Sequence, residues 1–224
     1  MGNPQSLLCD SDVLTQLFLG NEIRPLKELR AKYGIQSLIV QEVETELRWM
    51  KKFKDKFVPQ LDKALKSTAL KVLDPPEFHS HLGTAPVGAS WTGFQALGAQ
   101  YQGYVGAGEA YTFAAGVTLG LPALSNDRSA IRVLEGKMLS VPTPVLRTFD
   151  LLAFCFHNGI LEVKACESVR SELLKQLEGL PAAFKNASFE NGVKFFNTRL
   201  EDGAPRILAA GAHYTSTLTI TKII

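Results

Sequence analysis

Two acids standing where apolar runs end carry the first hint of chemistry. LLCDSDVLTQLF, residues 7–18, runs three apolar residues into Asp10 and Asp12. It then resumes a helical apolar pattern at Val13, Leu14, Leu17 and Phe18. LPALSND, residues 121–127, is a second apolar run closing in acid, at Asp127. A buried carboxylate is costly unless something compensates it. Either these aspartates cap the helices that follow, or they await a cation. VETELRW (43–49) adds Glu46, on a helix face shared with Glu42 and not with Glu44. Glu109 opens the helix after GAG, where the helix dipole favours an acid in any case. Capping explains Asp10, Asp12 and Asp127 one at a time, and a solvated helix face explains Glu46. Taken together, these plain readings explain less well why two strands end in acid.

The elements that must position these residues alternate. Residues 6–10 read as a strand and 12–20 as a helix. A second helix covers 25–34, with Pro25 near its start and Gly34 at its end. A β-rich run at 35–40 precedes one long charged helix, or two, over 41–67. A strand is expected at 69–74, a helix at 108–120, and another helix from Arg128. SVPTPVL reads as strand, with Thr143 as N-cap and Pro144 at the first position of a helix over 144–158. A further helix covers 162–178. Strands alternating with helices predict a three-layer α/β/α domain around a mainly parallel sheet. Ligands of such sheets bind beyond the carboxyl ends of the strands, so Asp10 and Asp127 belong on one rim. Between Pro75 and Ala107 lies a Gly/Pro/Ser/His-rich stretch, long for a loop in a compact domain.

Bulk properties exclude rather than select. A chain of 224 residues, 46% hydrophobic and 21% charged, suits one globular domain with an appendage. A net charge of +2 does not by itself indicate a nucleic-acid or membrane protein. No run of about 18 apolar residues or signal-peptide pattern is visible. Cys9, Cys155 and Cys166 form no CxxC and read as free thiols in a reducing cytoplasm.

CDSDVL, VETELR, GEAYTFAAGVTLG and LSNDRSAIRVLE, in this order and at these distances, resemble the PIN-domain family. VPTPVLRTFDLLAFCFHNGIL is similar to its closing strand and helix. The resemblance covers about residues 5–178 and implies a PIN-like nuclease domain over 1–178. The insertion at 75–107 and an extension at 179–224 depart from the compact members. The implied activity is that of a metal-dependent endoribonuclease using Mg²⁺ or Mn²⁺, with RNA as substrate. Many bacterial members are toxins held by an antitoxin, so an antitoxin partner is one expectation, and a homodimer another. Matched by position, Asp10, Glu109 and Asp127 would hold metal. Glu46 would bind a second ion or orient water, and Ser125 would fix a ligand or touch phosphate. Asn126 stands where some relatives carry a second Asp.

Carboxylates about 4 Å apart repel by roughly 4 kcal/mol at an effective dielectric near 20, which a divalent cation would relieve. RNA would have to approach this acidic rim. Arg128, in a helix first turn, makes more sense beside an anion than against the helix dipole, unless it pairs with Asp127 or Glu135. RWMKKFKDKF (48–57) offers Arg48, Lys51, Lys52, Lys54 and Lys56 as a phosphate-tracking face, or as a solvated amphipathic helix. Trp91, Phe94, Tyr101 and Tyr104 either stack bases or pack the insertion onto the core. His79 and His81 are too isolated for a zinc site, and GAG at 106–108 is no nucleotide fingerprint. The alternating tail at 214–224 reads as an edge strand or a pairing surface for a partner.

Two rivals remain open. LLCDSDVL also fits the Asp-x-Asp of haloacid-dehalogenase-type phosphatases, with Asp10 as nucleophile and Asp12 as acid/base. The later GDxxxD of that family is missing after residue 121. The other rival is a noncatalytic PIN-like module that binds RNA or protein.

Overall fold

The computed structural model describes residues 5–50, 54–138, 145–175 and 180–194. Its centre is a five-stranded, all-parallel sheet flanked by helices, a three-layer α/β/α arrangement. The strands are β1 (Gln5–Cys9), β2 (Ile35–Ile39), β3 (Leu70–Val72), β4 (Ala123–Leu124) and β5 (Val145–Leu146), in the order β3-β2-β1-β4-β5. Leu7, Leu8, Cys9, Leu38, Ile39, Ala123 and Leu124 are almost completely buried. That continuous burial is what a parallel sheet covered on both faces requires. β1 is paired on both sides, Leu8 with Leu38 of β2 and with Ala123 of β4.

The chain order places the functional rim. From β1 the chain builds outward through β2 and β3, then returns across the sheet to lay β4 on the other side of β1. The crevice beyond the carboxyl ends of β1 and β4 is therefore the topological switch point, where ligands of such sheets bind.

Helix α1 (Ser11–Leu19) follows β1, and α2 (Arg24–Tyr33) ends at the expected Gly34. The charged stretch after β2 is two helices, α3 (Gln41–Trp49) and α4 (Lys54–Lys66). The segment 75–107 is not a loop. It holds α5 (Pro75–Ser80) and α6 (Trp91–Gln102), which lead into α7 (Ala107–Leu119). Phe78, Trp91 and Phe94 pack ring on ring, Phe94 also meets Tyr111 of α7, and Tyr101 is buried. These aromatics therefore join the insertion to the core, while Tyr104 stays half exposed.

After β4 comes α8 (Arg128–Met138). The start expected for the next helix, with Thr143 as cap and a helix from 144, is corrected. Val145 and Leu146 form β5, and α9 (Thr148–His157) begins after Arg147. Asp150 decides this boundary, because its side chain accepts the Arg147 backbone N–H and so caps the helix there. α10 (Val163–Lys175) and α11 (Ala182–Lys185) follow. Leu180, Phe184, Phe189 and Val193 join the same core, with Phe184 and Phe189 packed on Phe149. The tail at 214–224 lies outside the described residues, as does Thr143. Among the described residues no helix is long and apolar enough to cross a membrane.

Candidate active site

Asp10 leaves β1 in an extended conformation and caps α1, its Oδ1 accepting the Ser11 N–H at 2.7 Å. Its backbone N–H donates to Leu124 O, which continues the β1–β4 ladder to the rim. Its Oδ2 accepts the hydroxyl of Ser125 at 3.0 Å. The side chain has no solvent exposure. Burial above all, then the charges of Asp12 and Glu109, pushes its pKa well above the usual carboxylate range.

Asp12 stands in the first turn of α1 and points toward β4. Its Oδ2 accepts the backbone N–H of Asn126 at 2.7 Å. Its Oδ1 is buried with no hydrogen-bond partner of good geometry among the described residues. Burial pushes its pKa up to about 7, against the opposing bond from Asn126. Asn126 extends this brace to α9, donating from Nδ2 to Thr148 Oγ and accepting the Thr148 N–H.

The remaining acids come from three other elements. Asp127 follows β4 and caps α8, its Oδ1 accepting the N–H groups of Ser129 and Ala130. Glu109 lies in the first turn of α7, half-buried, with its pKa raised by burial and by the charges of Glu46 and Asp127. Glu46 arrives from α3 at the point where α7 passes closest. A Cβ added to Gly108 would stand 2.6 Å from Glu46 Oε2 and 3.5 Å from Asp10 Oδ1, so both carboxylates flank one point on the α7 backbone. Beside it opens a cavity of about 350 Å³ lined by Gln41, Glu42, Thr45, Glu46, Ala107 and Gly108.

Asp10, Glu46, Glu109 and Asp127, far apart in the chain, thus meet at the switch-point rim together with Asp12. The capping roles of Asp10 and Asp127 are real, and they coexist with the clustering. Among the described residues no Lys, Arg or His pairs with any of the five acids. Nor are three His, Cys, Asp or Glu side chains drawn into the close shell of a metal site. The set nevertheless suits a hard divalent cation: all-oxygen donors, a buried Asp12 Oδ1 with no well-formed hydrogen bond, and raised pKa values that a cation would lower.

The expected RNA-facing cations fare differently. Arg48 is taken up by Glu44 and Asp62, and Lys56 donates to Leu19 O. Lys51 and Lys52 lie outside the described residues. Arg128 opens α8, but its side chain is likewise outside them. Asp12 and Asn126 are the site residues that a PIN-like assignment passed over. Asp12 had a visible signal, the same apolar-to-acid junction as Asp10. Asn126 acts through backbone and amide contacts that its residue type does not announce.

No family model, curated protein or solved structure matches this chain.

Proposed function

We propose that this chain is a metal-dependent ribonuclease of the PIN-like kind, hydrolysing RNA phosphodiester bonds at the rim beyond β1 and β4. One observation carries the reading. Five carboxylates from four segments gather at the topological switch point with no basic partner among the described residues. Such a cluster is a liability to a purely structural protein and an asset to one that holds Mg²⁺ or Mn²⁺.

Asp10, Glu109 and Asp127 are the residues to hold metal, with Asp12 added from its buried Oδ1. Glu46, across the Gly108 backbone from Asp10, is placed to orient water or share a second ion. Ser125 holds Asp10 in its rotamer. A bound divalent ion supplies charge neutralisation at the phosphodiester and an acidified water. The cavity lined by residues of α3 and α7 beside Glu46 supports the reading as the place where substrate would enter. A toxin role, with an antitoxin as partner, is a narrower form of the same reading, tested by whether expression of the chain alone arrests growth.

The test is cleavage of end-labelled RNA by purified protein with Mg²⁺, with Mn²⁺ and with chelator. Cutting that depends on metal and disappears in Asp10→Asn is expected. No cutting with either metal overturns the ribonuclease reading. A beryllofluoride-trapped acyl-phosphate on Asp10 would instead favour the phosphatase.

A further inference from the structure

The rim opposite the acids carries the other charge. Because every strand is parallel, residues that lead into strands lie at the far end of the sheet from residues that follow them. α2 leads into β2, and Ser67–Ala69 lead into β3. Between these two segments lies a cavity of about 390 Å³ lined by Lys27, Arg30, Ala31, Ser67 and Ala69. Its lining holds two cations, a hydroxyl and no carboxylate.

Neither cation is paired with a carboxylate among the described residues, whereas Arg24, Lys32, Arg48, Lys71 and Arg170 are. Lys27 and Arg30 make no ion pair among the described residues. Neither do Lys63 and Lys66, one turn and one residue before Ser67 on α4. Asp62, the nearest acid along α4, is engaged by Arg48. Glu28 on α2 is engaged by Lys32.

The pocket is also built rather than merely charged. Thr68 sits in the left-handed region at φ 54, unusual for a β-branched residue. Its carbonyl is held from two sides, by Arg30 Nη1 at 2.9 Å and Gln36 Nε2 at 3.2 Å. That clamp fixes the guanidinium while leaving most of its five N–H donors for something else. Strain of this kind persists where surrounding structure over-determines it, and it clusters at ligand clamps.

The Ser67 hydroxyl donates to Ala64 O at 3.1 Å, so we infer that this pocket binds a phosphate group through Lys27 and Arg30. The phosphate comes either from the backbone of an RNA strand whose remainder reaches the acidic rim, or from a free phosphate-bearing anion. The RNA source rests on the ribonuclease reading; the pocket does not.

The test uses the full chain in chelator, so that nothing is cut. Binding of a fluorescent 20-nucleotide single-stranded RNA is followed by anisotropy, and binding of inorganic pyrophosphate by calorimetry. The variants are Lys27→Glu, Lys27→Gln and Arg30→Gln, with Lys164→Glu at an exposed position of α10 as the control that matches the charge change of Lys27→Glu. Thermal melts confirm folding, which Lys27 variants should keep because that side chain makes no ion pair. RNA affinity at least fivefold weaker in the Lys27 variants than in Lys164→Glu is expected, with a shallower salt dependence, since each phosphate contact contributes about 0.7 to the slope for single strands. Loss of pyrophosphate binding alone would assign the pocket to a free anion. Wild-type affinities for both ligands in the Lys27 variants, or no binding of either by wild type, would overturn the pocket. A chain that never cuts RNA yet shows Lys27-dependent binding would sink the ribonuclease reading alone.

Discussion

The hydroxyl of Ser125 donates to Asp10 Oδ2 at 3.0 Å and joins residues 115 positions apart. The same oxygen accepts the backbone N–H of Asp127 at 3.3 Å. One small side chain therefore ties together the two acids that end β1 and β4. Ser125→Ala should leave a buried carboxylate oxygen without its donor, at a cost of about 1–3 kcal/mol in a denaturant melt. Losing that donor also removes a bond that lowers the Asp10 pKa, so the variant should lose part of its Mn²⁺-induced stabilisation. An unchanged Mn²⁺ response would mean that Ser125 holds the fold and not the site.

Asp10→Asn separates a cation site from a helix cap. Asn caps about as well as Asp, so the cap survives. The folded-state pKa values of Asp10 and Asp12 lie above their unfolded values, so between those values the folded state binds more protons than the unfolded one. Their contribution is most favourable at low pH and is lost as pH rises from about 4 toward and beyond 7. Metal-free Asp10→Asn should therefore match wild type only near pH 4 and below, and exceed it near pH 8. Wild type should gain stability from millimolar Mn²⁺ mainly at the higher pH, and the variant much less. Thermal melts at both pH values, with chelator and with Mn²⁺, read this directly. Equal metal shifts in the two proteins would place the cation elsewhere.

Gly108→Ala should divide activity from stability. The added methyl would meet Glu46 Oε2, the end of a flexible side chain, and press on buried Val43 Cγ2 at 3.3 Å, a cost that the better helix propensity of Ala offsets, so folding should change by no more than about 1 kcal/mol. It would also displace that carboxylate from Asp10. Metal-dependent RNA cleavage should fall at least tenfold while the melting temperature barely moves. Full activity would show that Glu46 has no part in the chemistry.

Asp12→Asn tests the acid that family matching left out. Its Oδ2 contact to Asn126 N–H can be kept by the amide oxygen, so the α1–β4 brace should hold. If Asp12 shares the cation, the variant should need at least tenfold more Mn²⁺ for half-maximal cleavage. An unaltered metal dependence would return Asp12 to a purely bracing role.

Asp150→Ala should be the most damaging change away from the site. Asp150 is fully buried and accepts from both the backbone N–H and Nε of Arg147, itself almost fully buried. Removing one side of a buried ion pair typically costs about 3–5 kcal/mol. A chemical melt showing less than about 1 kcal/mol would mean that the β5–α9 junction does not depend on this contact.

The residues themselves determined the strands at 7–9 and 35–39, the helices begun by Pro25 and ended by Gly34, and the meeting of Asp10 with Asp127 on one rim. Each follows from local sterics, or from the rule that parallel strands put their carboxyl ends together. Only the tertiary structure decided the rest. The helix at 91–102 carries two glycines and a weak apolar stripe, so its own sequence argues for a loop. It stands because Phe78, Trp91 and Phe94 stack into a cluster closed by Tyr111. The start of α9 at Thr148 was hidden because Pro144 is a strong local signal, and only the buried cap from Asp150 overrides it. Asp12 and Asn126 lie 114 positions apart and find each other through the β1–β4 pairing. Arg48 looked free beside four lysines until the α3–α4 packing brought Asp62 to it. Local preference is written in neighbouring residues. Which polar groups satisfy one another is set by contacts between distant segments, and those exist only once the sheet has placed them side by side.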